Sequence, residues 1–141
     1  MNFINHFLTK KTNNYIGFED MKVASENPHK YIIINTMGTN EQDCLIKNTM
    51  NIMNEEKVIN DLIDNYEIKK KKIVIYGKNC QDESVENKSK QLQSLGFSHI
   101  YIYMGGLFEW MLLQDIYGSD EFKTTTHVLD ILKYKPTNVF I

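Results

Sequence analysis

Apolar residues along this chain form strand-like runs separated by helix-like stripes. Tyr31–Asn35 (Tyr-Ile-Ile-Ile-Asn), 73–76 (Ile-Val-Ile-Tyr) and 99–103 (His-Ile-Tyr-Ile-Tyr) are short, nearly continuous and rich in β-branched or aromatic side chains. A strand covered on both faces needs that pattern, so these runs are predicted as central strands. Ile16 with its neighbours and the segment 50–53 are candidates for further short strands. Between the runs, 54–67 places Val58, Ile59, Leu62, Ile63 and Tyr66 on one helical face opposite a charged one. The segment 84–95 is more polar and is predicted to bury Val85, Leu92 and Leu95 before Gly96 caps it. The segment 107–116 is apolar almost all round and is predicted to lie deep. Phe3, Ile4, Phe7 and Leu8 suggest a short docking helix near the start. Val128, Leu129, Ile131 and Leu132 suggest another before Pro136. Strand and helix signals that alternate in this way predict an α/β domain on a mainly parallel sheet.

Composition narrows what such a domain does. At 141 residues with a formal charge of −2, the chain is expected to fold as one domain and to carry no basic field for nucleic acid or an anionic membrane. No apolar run approaches the roughly 18 residues of a membrane helix. The start has neither the basic residues nor the cleavage site of an export signal, so a cytoplasmic location is expected. Two cysteines, Cys44 and Cys80, make no disulfide framework or zinc pattern, and no metal or cofactor is expected. All 16 basic residues are lysine. Chemistry that depends on a bidentate guanidinium clamp is therefore closed to this protein.

The most informative stretch runs from Ile73 to Trp110. It holds an apolar strand, the loop Gly77-Lys78-Asn79-Cys80-Gln81-Asp82-Glu83, a helix, Gly96-Phe97, a second strand, and Gly105-Gly106-Leu107-Phe108-Glu109-Trp110. In order and spacing it resembles the rhodanese (thiosulfate sulfurtransferase) domain, and the likeness extends over about residues 15–117. Upstream, Asn35-Thr36-Met37 stands where the family has Asp-x-Arg, and 44–52 resembles its Gly-His-Ile-x-Gly-Ala segment. The resemblance implies a three-layer α/β fold whose mainly parallel sheet of about five strands is flanked by helices. It also implies a single domain over 1–141, with residues 118–141 as an extension beyond the core.

A cysteine in the loop from a buried strand to a helix sits at the carboxyl edge of the sheet, where open α/β folds bind ligands. Loop amides and the helix start offer partial positive charge to a thiolate or to a persulfide formed on it. By resemblance, Cys80 takes sulfane sulfur from a small donor such as thiosulfate and hands it to a thiol acceptor. Lys78, Asn79, Gln81, Asp82, Glu83 and Ser84 then form the substrate-binding loop, with the amides of 81–84 as an anion cradle and Lys78 assisting. From Tyr76 to Gly96 the spacing is about two residues longer than in the single-domain members it resembles, and Gly77 and not cysteine occupies the position directly after the strand. Asp82 and Glu83 oppose an anion by Coulomb repulsion. A catalytically inactive module that binds a protein partner through this loop, or senses oxidants there, is the alternative. The related phosphatase type needs Cys-x5-Arg, and the sixth residue after Cys80 is Glu86.

The remaining features carry less chemistry. Cys44, ahead of Leu45-Ile46, is expected to be a half-buried packing residue, with a second redox thiol as the alternative. His6, His29, His99 and His127 are scattered singly and receive no catalytic role. Gly105-Gly106 lacks any phosphate-loop context and is expected to form a tight turn that Trp110 anchors. Met50, Met53, Met104 and Met111 are expected to fill the core. The 69–72 lysine run and the Asp115, Asp120 and Glu121 edge are expected to be solvated.

Overall fold

The computed structural model describes residues 14–141. The proposed docking helix around Phe3 and Phe7 lies outside them. Four parallel strands form one sheet in the order β1-β4-β3-β2: β1 (Asn14–Ile16), β2 (Tyr31–Asn35), β3 (Lys72–Tyr76) and β4 (Ile100–Tyr103). The helices are α1 (Phe18–Glu26), α2 (Glu55–Asp64), α3 (Ser84–Ser94) and α4 (Gly106–Tyr117).

Because successive side chains of a strand point to opposite faces, the apolar runs feed two cores. Ile33, Val74, Tyr76 and Tyr103 face Met21 and Ala24 of α1 and Leu107, Trp110 and Met111 of α4. Ile32, Ile34, Ile73, Ile75, Ile100 and Ile102 face Ile59 of α2 and Val85 and Leu92 of α3. Each such side chain removed from water contributes about 1.5–3 kcal/mol, which makes these layers the main source of stability.

Several details correct the sequence reading. Among the described residues the sheet has four strands, where about five were expected. The segment 50–53 forms no strand: the bridge to Ile33 falls at Thr49, just ahead of it, and the Met50 N–H donates to the Ile33 carbonyl at 2.8 Å. The chain then turns into the 3₁₀ helix Ile52–Asn54, where the Asn51 side chain accepts the Met53 N–H at 2.9 Å. Its Met53 is exposed. Tyr66 lies beyond the end of α2 with φ of 57° and is 94% exposed, so it leaves the stripe to which its spacing assigned it. Leu95 falls on the C-cap of α3 and is exposed. α4 buries Leu107, Trp110, Met111 and Gln114 but exposes Leu112 and Ile116, so it docks by one side. The expected helix before Pro136 is the single 3₁₀ turn Ile131–Tyr134, and its buried member is Tyr134 while Leu129 and Leu132 are exposed.

The extension beyond α4 packs along the first core. Phe122 meets the Trp110 ring edge-on at 5.1 Å, and the Trp110 Nε1–H donates to the Lys123 carbonyl at 3.0 Å. Gln114 Nε2 donates to the Phe122 carbonyl at 2.7 Å. Ile46 and Thr124 form an antiparallel bridge, and the buried Cys44 Sγ–H reaches the Thr126 carbonyl at 3.3 Å. Tyr76 holds the same segment from the sheet side, its hydroxyl accepting the Ile46 N–H at 3.1 Å and lying 2.8 Å from Thr49 Oγ1. None of the described helices is long and apolar enough to cross a membrane.

Candidate functional site

The carboxyl ends of β2, β3 and β4 converge on the loop 77–83. The Thr36 N–H, just past β2, donates to the Tyr76 carbonyl at 3.0 Å. From the other side α4 docks its first turn on the loop: the Leu107 N–H donates to the Gly77 carbonyl at 3.0 Å and the Phe108 N–H to the Lys78 carbonyl at 2.9 Å. Helix-start amides that would otherwise lack partners are satisfied in this way. Gly106 permits the approach. Its φ is 68°, and a Cβ there would stand 2.8 Å from the Gly77 carbonyl oxygen and 3.0 Å from the Asn79 nitrogen.

Residues 79–82 form a β-turn closed by the Asp82 N–H on the Asn79 carbonyl at 3.2 Å. Cys80 takes the first corner, which is why its side chain is exposed. Asn79 organises the turn. Its buried side chain accepts the Gln81 N–H at 2.9 Å and donates to the Tyr134 carbonyl at 2.9 Å. Gln81 adds a second link to the extension, since its Oε1 accepts the Thr137 N–H at 2.8 Å.

Asp82 gathers the donors at the mouth of the loop. Its Oδ2 accepts the Lys78 N–H at 3.0 Å, and its Oδ1 accepts the Ser84 N–H at 3.1 Å and the Ser84 hydroxyl at 2.5 Å. The same hydroxyl lies 2.7 Å from Thr36 Oγ1. Lys78 sends its ammonium away to Glu41 at 2.7 Å. That hydrogen bond holds the Glu41 carboxyl below its ordinary range, against a smaller opposing effect of burial. Glu83 is exposed.

The residues expected to act together are thus contiguous at the rim, but they divide into groups. Cys80 stands outside on the turn. Asp82, Ser84 and the Lys78 amide form an inner cluster, while Asn79 and Gln81 tie the turn to the extension. The amides of Gln81, Asp82 and Ser84 are engaged by Asn79 and Asp82, and no hydrogen bond to the Cys80 sulfur forms among the described residues. Two depressions flank the loop. One of about 270 Å³ is lined by Thr36, Met37, Glu55, Ser84 and Lys88 among others. The other, of about 240 Å³, includes Glu41, Asp43, Lys78, Lys133 and Tyr134.

Thr36, Glu41, Tyr134 and Thr137 enter the site although sequence reasoning did not single them out for it. Thr36 carried a signal, since it follows a strand end. The others come from distant segments and carried none. The lost Asp-x-Arg position also has a local answer. The buried Asn35 side chain pairs with the Gln42 amide through contacts of 3.0 and 2.8 Å, and its Oδ1 accepts the Met37 N–H at 3.2 Å. No group of three or more potential metal ligands occurs among the described residues.

A parallel sheet with helices on both faces and a cysteine-bearing loop at its carboxyl rim defines an α/β domain with a loop-borne thiol. The sequence matches the rhodanese-like domain model over residues 19–113, well over half its length, and the chain belongs to that family. The fold is similar to that of the BH2092 protein from Bacillus halodurans, with a TM-score of 0.59, 17% identity, and 79% of this chain and 80% of that one covered. It is also similar to RDL2, a single-domain sulfurtransferase of Saccharomyces cerevisiae, with a TM-score of 0.53, 19% identity, and coverage of 76% and 95%. A third likeness is to Ygr203w, a yeast protein tyrosine phosphatase of the rhodanese family, with a TM-score of 0.56, 15% identity, and coverage of 85% and 97%. At these identities the likeness is one of fold. No curated protein matched the sequence significantly.

Proposed function

We propose that this chain transfers sulfane sulfur, with Cys80 as nucleophile and carrier. The observation that carries the reading is an exposed thiol at the corner of the β3–α3 turn, open to a donor and an acceptor in succession. In the first step the Cys80 thiolate attacks the outer sulfur of the donor. A new S–S bond forms at Cys80 as the donor's bond to that sulfur breaks, and the electron pair leaves on the donor remnant. An acceptor thiolate or cyanide then takes the outer sulfur and returns Cys80 as thiolate. The cycle needs neither metal nor organic cofactor.

The test supplies thiosulfate or a low-molecular-weight persulfide and follows the intact mass, then adds cyanide and measures thiocyanate. Wild type and Cys44→Ser are expected to gain one sulfur atom and turn over, and Cys80→Ser to do neither. Absence of sulfur uptake with every donor, or turnover that survives Cys80→Ser, overturns the reading.

A second reading is favoured by the engagement of the Lys78, Gln81 and Ser84 amides with Asp82 and Asn79, which leaves those donors already paired and none of them bonded to Cys80. In it the same loop binds a protein partner or senses oxidants without moving sulfur. Formation of a sulfenic acid or disulfide at Cys80 by peroxide, faster than any sulfur uptake, is the result that separates the two.

A further inference from the structure

The donors that converge at the mouth of the loop already hold a carboxylate belonging to the chain itself. Asp82 takes the Lys78 and Ser84 amides and the Ser84 hydroxyl, and Thr36 supports that hydroxyl from the end of β2. The carboxylate also fills the space beside the strand end: a Cβ on Gly77 would stand 2.5 Å from Asp82 Oδ2 and 2.9 Å from its Cγ. No side chain at position 77 competes for this volume. The lysine that could attract a small anion, Lys78, is held by Glu41. Cys80 is exposed one turn away, with Asp82 and the exposed Glu83 close in sequence.

We propose that Asp82 is a specificity-determining residue, a tethered anion that occupies the loop's donors and directs Cys80 away from oxyanion-bearing sulfur donors toward persulfides lacking a terminal oxyanion. The inference rests on the reading of Cys80 as the reacting thiol. A free oxyanion must displace a carboxylate whose effective concentration is set by its attachment to the same loop. It must also approach against the charges of Asp82 and Glu83, which repel it at any separation shorter than the screening length. A protonated persulfide R–S–SH, which carries no charge on its sulfurs and no oxyanion to place among these donors, meets neither obstacle. The Cys80 thiolate attacks its outer sulfur, giving Cys80–S–SH and R–S⁻; one S–S bond replaces another, the proton stays on the transferred sulfur, and no external oxidant or reductant takes part.

The test has two arms. In the first, carried out in a Cys44→Ser background so that one thiol remains, Cys80 is titrated with an anionic disulfide, dithiobis(nitrobenzoate), and a neutral one, dithiodipyridine. The ratio of anionic to neutral rates is compared for the parent, Asp82→Asn and Glu83→Gln. Asp82→Asn keeps the side chain's shape and one acceptor oxygen while removing the charge. Glu83→Gln removes the same charge one residue away without touching the inner donors. Asp82→Asn is expected to raise the ratio by about fivefold or more, and Glu83→Gln by clearly less. Equal effects of the two variants show that only diffuse charge matters and overturn the proposal.

The second arm follows the backbone amide resonances of Lys78 and Ser84 in the Cys80→Ser protein as thiosulfate is added. No shift is expected while Asp82 is present, and a saturable shift at those amides overturns the proposal. Because this arm requires no reacting sulfur, its outcome stands apart from sulfur uptake: a chain that never gains sulfur refutes the functional reading even when the amides behave as expected.

Discussion

Asn79 does more for the loop than its place beside the thiol suggests. An amide side chain can donate and accept at once, and here it accepts the Gln81 N–H inside the turn and donates to the Tyr134 carbonyl outside it. Replacing it by alanine leaves both partners without their buried counterpart, at a cost of about 1–3 kcal/mol. Asn79→Ala is accordingly expected to lower the urea midpoint and to speed alkylation of Cys80 in the folded protein, as measured by mass spectrometry in a Cys44→Ser background. Unchanged stability and unchanged alkylation contradict the role assigned to this side chain. Part of it was legible in the sequence, because Asn and Asp bracketing a Cys-Gln pair is the composition of a turn closed by side-chain acceptors. The bond to Tyr134, 55 positions away in the chain, left no local trace.

At the scale of elements, the decisive junction is the entry of α4 from β4. The Gly-Gly pair was legible as a tight turn, and the two glycines serve different ends. Gly106 has φ of 68° and faces loop backbone, whereas Gly105 has φ of −58° and has the side chain of Glu109 as its nearest neighbour, which accepts from the Tyr103 hydroxyl at 2.6 Å. Backbone cannot step aside as a side-chain end can. Gly106→Ala is expected to destabilise the protein by at least about 1–3 kcal/mol from the backbone conformation alone and to shift the amide resonances of residues 77–79. Gly105→Ala should cost less and disturb chiefly Tyr103 and Glu109. Chemical denaturation and amide spectra of both variants check the order. α1 was not anticipated because Phe18–Glu26 interleaves Glu19, Asp20 and Lys22 with its apolar residues and buries only Met21, Ala24 and Ser25. So short a buried stripe has weak helical periodicity.

Across the whole molecule, the extension beyond α4 is part of the packed structure. Phe122 and Tyr134 are both 3% exposed and complete the first core. Tyr134→Ala is expected to cost about 3 kcal/mol, and truncation after Tyr117 to abolish the cooperative thermal transition seen by near-ultraviolet circular dichroism. A truncated chain that still melts sharply would contradict this. Alkaline stability follows from two buried phenols. Burial raises the Tyr76 hydroxyl above its ordinary 10.0, outweighing the opposing hydrogen bonds from Thr49 and Ile46. Burial, reinforced by the Glu109 carboxylate, raises Tyr103 as well. Both fold as neutral phenols, so their contribution is complete below about pH 10 and is lost as the pH climbs from there toward the raised values, where the unfolded chain ionises first. Stability measured by urea melts should therefore fall steeply above that pH. Replacing Tyr76 with phenylalanine should flatten the fall, although it also removes the hydroxyl's bonds to Ile46 and Thr49.

The sequence by itself determined the layers, because strand and helix periodicities are local and each apolar run names the faces it must bury. It also placed Cys80 at the rim, since a loop after a buried parallel strand has nowhere else to lie. Only the tertiary structure decided which acceptor the loop's donors receive. That choice turns on ångström-scale distances among Gly77, Asp82, Ser84 and Thr36, and on segments as remote as Glu41 and Tyr134, which folding brings together and composition does not encode.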